Sequence, residues 1–133
     1  MKQIRIHGEK SINYKGGYKY QLKNGYSIYI GFPAGSIGEW LKIESGTLYI
    51  HNRYAWDGPS GPTIDTDNFL RGSLVHDALY QMMREGAIPE SCRKDSDIIL
   101  YWICREDGMS WIRATWVYWG VNLFGAKNAR ANT

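Results

Sequence analysis

Two cysteines in 133 residues leave no room for a disulfide framework. Cys92 and Cys104 fall in one expected helix, where twelve residues span about 18 Å, too far for a bridge. The chain therefore fits a reducing compartment. No uninterrupted apolar run approaches the length of a membrane span. Charge of one sign is nowhere concentrated. Sixteen Lys and Arg against 13 Asp and Glu give a net charge of +3, scattered along the chain, so no nucleic-acid partner is expected. The opening Met1-Lys2-Gln3-Ile4-Arg5-Ile6 is too short and too polar for a secretory signal, which makes synthesis in the cytoplasm of a host cell the expectation. Repeats and low-complexity segments are absent.

Aromatic residues, by contrast, are abundant. Six Trp and ten Tyr in so short a chain supply core, and indoles also anchor proteins at interfaces. In the first half Tyr18, Tyr20, Tyr26, Ile28 and Ile30 alternate with polar partners, the pattern of a half-buried sheet. Gln3–His7 reads as a short strand. Asn24-Gly25 between Tyr18–Leu22 and Tyr26–Ile30 predicts a hairpin, and Ser45-Gly46 predicts a second one between Trp40–Ile43 and Thr47–Ile50. Gly31 to Gly38, with Pro33, reads as a turn-rich connection.

Past Arg53 the character changes. Trp56-Asp57-Gly58-Pro59-Ser60-Gly61-Pro62 is stiff and turn-rich, and Asp57, Asp65 and Asp67 add carboxylates. Asp67 or Asn68 then offers a helix cap. Helices are expected over Asn68–Glu85, ended by Gly86 and Pro89, over Glu90–Glu106 with Ser91 as a cap, and over Ser110–Phe124, ended by Gly125. The fold class that follows is α+β, an antiparallel sheet of hairpins packed against three C-terminal helices in one domain. Residues 1–53 form its β-rich half, 54–67 the Gly/Pro/Asp loop, 68–125 the helices and 126–133 a polar, frayed tail.

The chemistry concentrates on two of those helices. His76, Leu79, Tyr80 and Met83 share one face at i, i+3, i+4 and i+7. Asp97 shares a face with Leu100, Tyr101 and Cys104. A carboxylate in an apolar stripe must find a donor or suffer a desolvation cost of several kcal/mol. The short link through Gly86-Ala87-Ile88-Pro89 makes the helices antiparallel neighbours and sets His76 level with Asp97, with Asp95 as a rival nearer the helix start. A carboxylate on one imidazole nitrogen leaves the other as a base. Asp77, with loop carbonyls and Asp57, offers the oxygen ligands that calcium prefers. The bland alternative is a polar network that only specifies the fold.

The pattern Asp57-Gly58-Pro59-Ser60, Arg71, His76-Asp77-x-x-Tyr80, Gly86, Pro89 and Asp97 resembles the core of the phospholipase A2 superfamily over Trp56–Tyr101. The likeness is to its prokaryotic and parvoviral branches, which lack the long insertion between the two helices. The resemblance implies a calcium-dependent ester hydrolase in which His76 activates water, Asp97 orients His76 and Tyr80 supports that pair. It implies calcium at Asp77, held together with Asp57 and the Gly58 segment of the loop. The whole chain also looks like a small, largely phage-associated family of unknown function.

Two functions are therefore carried forward. One is the hydrolase, with a phospholipid or a membrane surface as partner. The other is a non-catalytic phage protein that binds a host or virion partner. Ile112, Thr115, Trp116, Trp119 and Leu123 trace a stripe on the last helix, while Trp111, Trp116, Trp119 and Phe124 together cover more than one side of it. The sheet and neighbouring helices are expected to bury both sides, unless a Trp is left exposed beside the site to meet lipid.

Overall fold

Alternation along Tyr26–Phe32 (β4) turns Tyr26, Ile28, Ile30 and Phe32 to one face, and all four are buried. This strand is the spine of a five-stranded antiparallel sheet in the computed structural model, which describes residues 1–16, 20–56 and 67–130. The sheet order is β1 (His7–Gly8), β4, β7 (Gly46–Ile50), β6 (Leu41–Glu44) and β5 (Gly35–Ile37). A second, three-stranded sheet joins β2 (Tyr14–Lys15), β3 (Tyr20–Leu22) and β8 (Ala55–Trp56). The helices are α1 (Asp67–Arg84), α2 (Arg93–Glu106), α3 (Trp111–Phe124) and the short α4 (Ala126–Ala129). The α+β class expected from the sequence holds.

One of the two hairpins forms as expected. Ser45 and Gly46 both take positive φ, 51° and 80°, and Glu44 pairs with Thr47 across them. The Asn24-Gly25 hairpin does not form. β3 pairs with β2 and β8, whereas β4 pairs with β1 and β7. Around Leu22 the backbone partners come from elsewhere: its N–H donates to the Tyr54 carbonyl at 2.9 Å, and its carbonyl accepts from Arg53 N–H at 2.8 Å. Asn24-Gly25 is thus the corner where the chain passes between sheets. Other boundaries move as well. The first strand lies at His7–Gly8 rather than Gln3–His7, and Gly35–Ile37 within the expected connection pairs with β6. The β-rich part extends to Trp56.

Helix α1 is buried on nearly every side. Leu74, Val75, Ala78, Leu79, Met82 and Met83 lose all contact with solvent against the inward face of the large sheet and against Ile99 and Ile103 of α2. Each of these except Ala78 contributes about 1.5–3 kcal/mol. A second cluster, built on Phe69, Leu100, Tyr101 and Cys104, is closed by Ala114 and Val117 of α3. Close approach of α1 and α2 depends on Gly72, where a Cβ would meet Leu100 Cδ1 at 2.8 Å and Cys104 Sγ at 3.1 Å. That contact lies one turn before His76 and fixes the level at which the two helices meet.

Two helix ends differ from expectation. Ser91 caps nothing, because Glu90–Cys92 forms a 3-10 turn and α2 starts at Arg93 with Cys92 in the cap position. Gly125 does not end the helical region in a left-handed turn; its φ is −84°, and α4 follows. Residues 126–129 are therefore not a frayed tail, and Ala129 is buried in the main core.

Candidate functional site

His76 and Asp97 meet across α1 and α2, with His76 Nε2 2.8 Å from Asp97 Oδ1. The Tyr80 hydroxyl, one turn beyond His76, donates to the same oxygen at 2.6 Å. On the far side Asn122 of α3 donates its Nδ2 to Asp97 Oδ2 at 3.4 Å, and Arg93 Nη1 stands 3.7 Å from that oxygen. Asp97 is wholly removed from water. Its carboxylate is offset by two neutral donors, an imidazole and a nearby cation, which is what makes such burial tolerable.

The three residues the sequence brought forward are thus adjacent. Asp95, the rival, is half-buried near the surface and pairs with Lys2 at 3.1 Å. Asp77 is half-buried on the flank of α1. Asp57 and Gly58 lie outside the described residues. Among the described residues no group of three or more His, Cys, Asp or Glu side chains is arranged to hold a metal, so they do not by themselves form a calcium cage. The residue that precedes them is fixed close by. Trp56, the residue before Asp57, is buried and donates its indole N–H to Ser73 Oγ at 3.0 Å, one turn from His76.

Two partners of Asp97 escape a reading of motifs. Arg93 is legible as an i,i+4 pair with Asp97. Asn122, an amide in an otherwise apolar stretch of α3, is the kind of residue that needs a buried partner. Gly125 also belongs here. A Cβ at that position would stand 2.5 Å from the Tyr80 hydroxyl, so its bareness lets the α3–α4 corner close over the tyrosine.

The arrangement determines protons. Burial, then the hydrogen bond to Asp97, pushes the Tyr80 phenol well above its ordinary range, so Tyr80 remains a donor. An ionised Asp97 only accepts, so Nε2 of His76 carries the proton and Nδ1 keeps its lone pair. The His76 ring lies against that of Tyr80, with centroids 4.1 Å apart. No buried side-chain nitrogen or oxygen among the described residues lacks a hydrogen-bond partner, and Nε2 is the only His76 nitrogen bonded. Nδ1 is therefore not sealed from solvent, in a ring about nine-tenths covered.

Arg71, five residues earlier on α1, is part of the same sequence pattern but has a different setting. Its guanidinium is 2% exposed. Nε and Nη2 bind both oxygens of Asp107 at 3.0 and 2.9 Å, and Nη2 also donates to Glu106 Oε1 at 2.6 Å. Nη1 donates to the Glu9 carbonyl at 2.8 Å and to the Tyr26 hydroxyl at 3.0 Å. Burial opposes the charge, but hydrogen bonds to Asp107, Tyr26 and Glu106 outweigh it and hold the group firmly protonated. Arg71 ties the N-terminal strands to the α2–α3 turn. Comparison with known family models, curated proteins and solved structures yields no match.

Proposed function

We propose that the chain is a hydrolase of phospholipid-type esters that uses His76 as a general base. The observation that carries this reading is the 2.8 Å His76–Asp97 contact, which occupies Nε2 and leaves Nδ1 as the nitrogen not sealed from solvent. Nδ1 takes a proton from water as its oxygen attacks the ester carbonyl. Asp97 stays ionised and stabilises the imidazolium. As the tetrahedral intermediate collapses, His76 returns the proton to the departing alkoxide, releasing one acid and one alcohol. Tyr80 and Asn122 hold Asp97 in place. Asp77, with Asp57 and the Gly58 segment, would hold calcium, which would polarise the ester carbonyl. The position of Trp56 beside Ser73 supports that assignment, because it starts the loop within one turn of His76.

The test is release of fatty acid from mixed phosphatidylcholine–phosphatidylglycerol vesicles, with and without calcium. Wild type hydrolyses lipid only with calcium, and His76→Gln loses roughly 10²–10⁴-fold. Millimolar calcium raises the melting temperature of wild type, and Asp77→Asn removes most of that rise. No hydrolysis and no calcium-linked shift would overturn the reading. They would favour a non-catalytic phage protein bound to a host or virion partner, a view supported by how thoroughly the His76–Asp97–Tyr80 network is buried.

A further inference from the structure

Four of the five residues that periodicity marks out on α3 face away from the molecule, while Thr115 is half-buried and donates to the Trp111 carbonyl at 2.6 Å. Ile112, Trp116, Trp119 and Leu123 are 55%, 77%, 53% and 67% exposed. At 100° per residue they lie within about 60° of one another. The opposite side, with Ala114 and Val117, packs on α2. Beside the stripe, Trp111 is 61% exposed. Three indoles and two aliphatic side chains, each more than half bare, present on the order of 700 Å². Monomers rarely show an apolar patch above about 600 Å², and a standard interface takes about 800 Å² from each partner.

The stripe is also a palindrome. Its spacing of four, three and four residues is that of a coiled-coil seam, and its order is aliphatic, Trp, Trp, aliphatic. A twofold axis level with the Val117–Tyr118 step sets Trp116 against the partner's Trp119 and Ile112 against the partner's Leu123. Arg113, the one charged residue of α3, lies on a flank of the stripe and outside the seam, so the seam itself holds no charge. Gly120 flanks the two indoles, and a Cβ there would meet no atom within 4 Å among the described residues. A bare helical position is destabilising relative to Ala. Nothing among the described residues requires it, whereas close approach of a second helix does. A lipid surface suits the face less well, because helices that lie on anionic membranes carry several Lys or Arg and α3 carries one.

We infer that the chain forms a twofold dimer through antiparallel pairing of α3 with its copy. Each half supplies the same patch, as a closed isologous interface requires.

Sedimentation velocity of the full chain from about 1 to 100 μM tests this at the protein concentrations where standard interfaces assemble. Wild type sediments as a dimer. Trp116→Lys or Trp119→Glu raises the dissociation constant at least roughly 30-fold, while circular dichroism stays unchanged because both side chains are exposed. Mixing the two variants restores association, since opposite charges then meet in one layer while the other keeps both indoles. Leu123→Glu weakens the dimer less, as an outer-layer change. A wild-type monomer throughout the range overturns the inference, as does a dimer indifferent to both Trp substitutions or a mixture that stays monomeric. A monomer that instead binds phosphatidylglycerol vesicles overturns it too and assigns the face to lipid.

Discussion

Helix α1 carries two buried polar centres five residues apart, and they differ in one respect that matters. At Arg71 all five N–H bonds of the guanidinium are used, on Asp107, Glu106, Tyr26 and the Glu9 carbonyl. At His76 one ring nitrogen is committed to Asp97 and the other is left over. Both centres set a nitrogen donor against a carboxylate, with a tyrosine hydroxyl beside them. A group whose every valence is satisfied inside the fold can only hold the fold together. A group with one valence spare at the surface can exchange a proton with something that arrives.

The largest effect that would break the comparison is on stability. Arg71→Met removes the guanidinium and leaves Asp107 and Glu106 without it, so unfolding free energy falls by about 3–5 kcal/mol in urea melts. Hydrolysis per folded molecule stays at the wild-type level, because Arg71 touches nothing at the candidate site. A milder loss would mean that water takes the place of the guanidinium. His76→Gln gives the reverse pattern, with little change in melting temperature and the loss of hydrolysis already stated.

Tyr80→Phe sharpens the contrast at smaller scale. It removes one of two donors to Asp97 Oδ1 while keeping the ring against His76, and costs about 1–3 kcal/mol. Thermal and urea melts of the variant read this directly, and an unchanged midpoint would show that the hydroxyl bond carries no weight.

The smallest effect is on the alkaline side. Burial and Asp97 push the Tyr80 phenol upward, and burial with Asp107 pushes the Cys104 thiol up to about 12. Burial raises the Tyr26 phenol as well, although Arg71 opposes it. A raised folded-state pKa means that the fold keeps a proton the unfolded chain releases. This contribution is whole below about pH 8 and is lost as pH rises from the unfolded values, near 9 for Cys and 10 for Tyr, toward the raised folded ones. Urea midpoints should decline above that point, and Tyr80→Phe should make the decline shallower. An equally steep decline in that variant would assign it to other groups.

How much of this was legible depends on what decides each feature. The α1–α2 pair was readable because a short link and two i, i+3, i+4, i+7 faces fix the level of His76 against Asp97 locally. Sheet pairing was not. Asn24-Gly25 has the right chemistry for a tight turn, yet Leu22 finds its backbone partners at Arg53 and Tyr54, thirty residues away, and no local signal announces that choice. On α3, periodicity correctly grouped Ile112, Trp116, Trp119 and Leu123 but could not say which way they face. The helix is apolar all round, and the small Ala114, with Val117, fits the space against α2 that indoles would overfill. The expectation that sheet and helices bury both sides is therefore wrong for α3, where the larger side chains lie outside.

The spare nitrogen of His76 is tested most directly by long-range ¹H–¹⁵N correlation of its imidazole with the ring neutral. The account predicts the Nε2–H tautomer, with Nδ1 unprotonated and its signal responsive to solvent composition, alongside Arg71 side-chain N–H protons that exchange slowly. An Nδ1–H tautomer, or an Nδ1 shielded from solvent as fully as the Arg71 guanidinium, would contradict it.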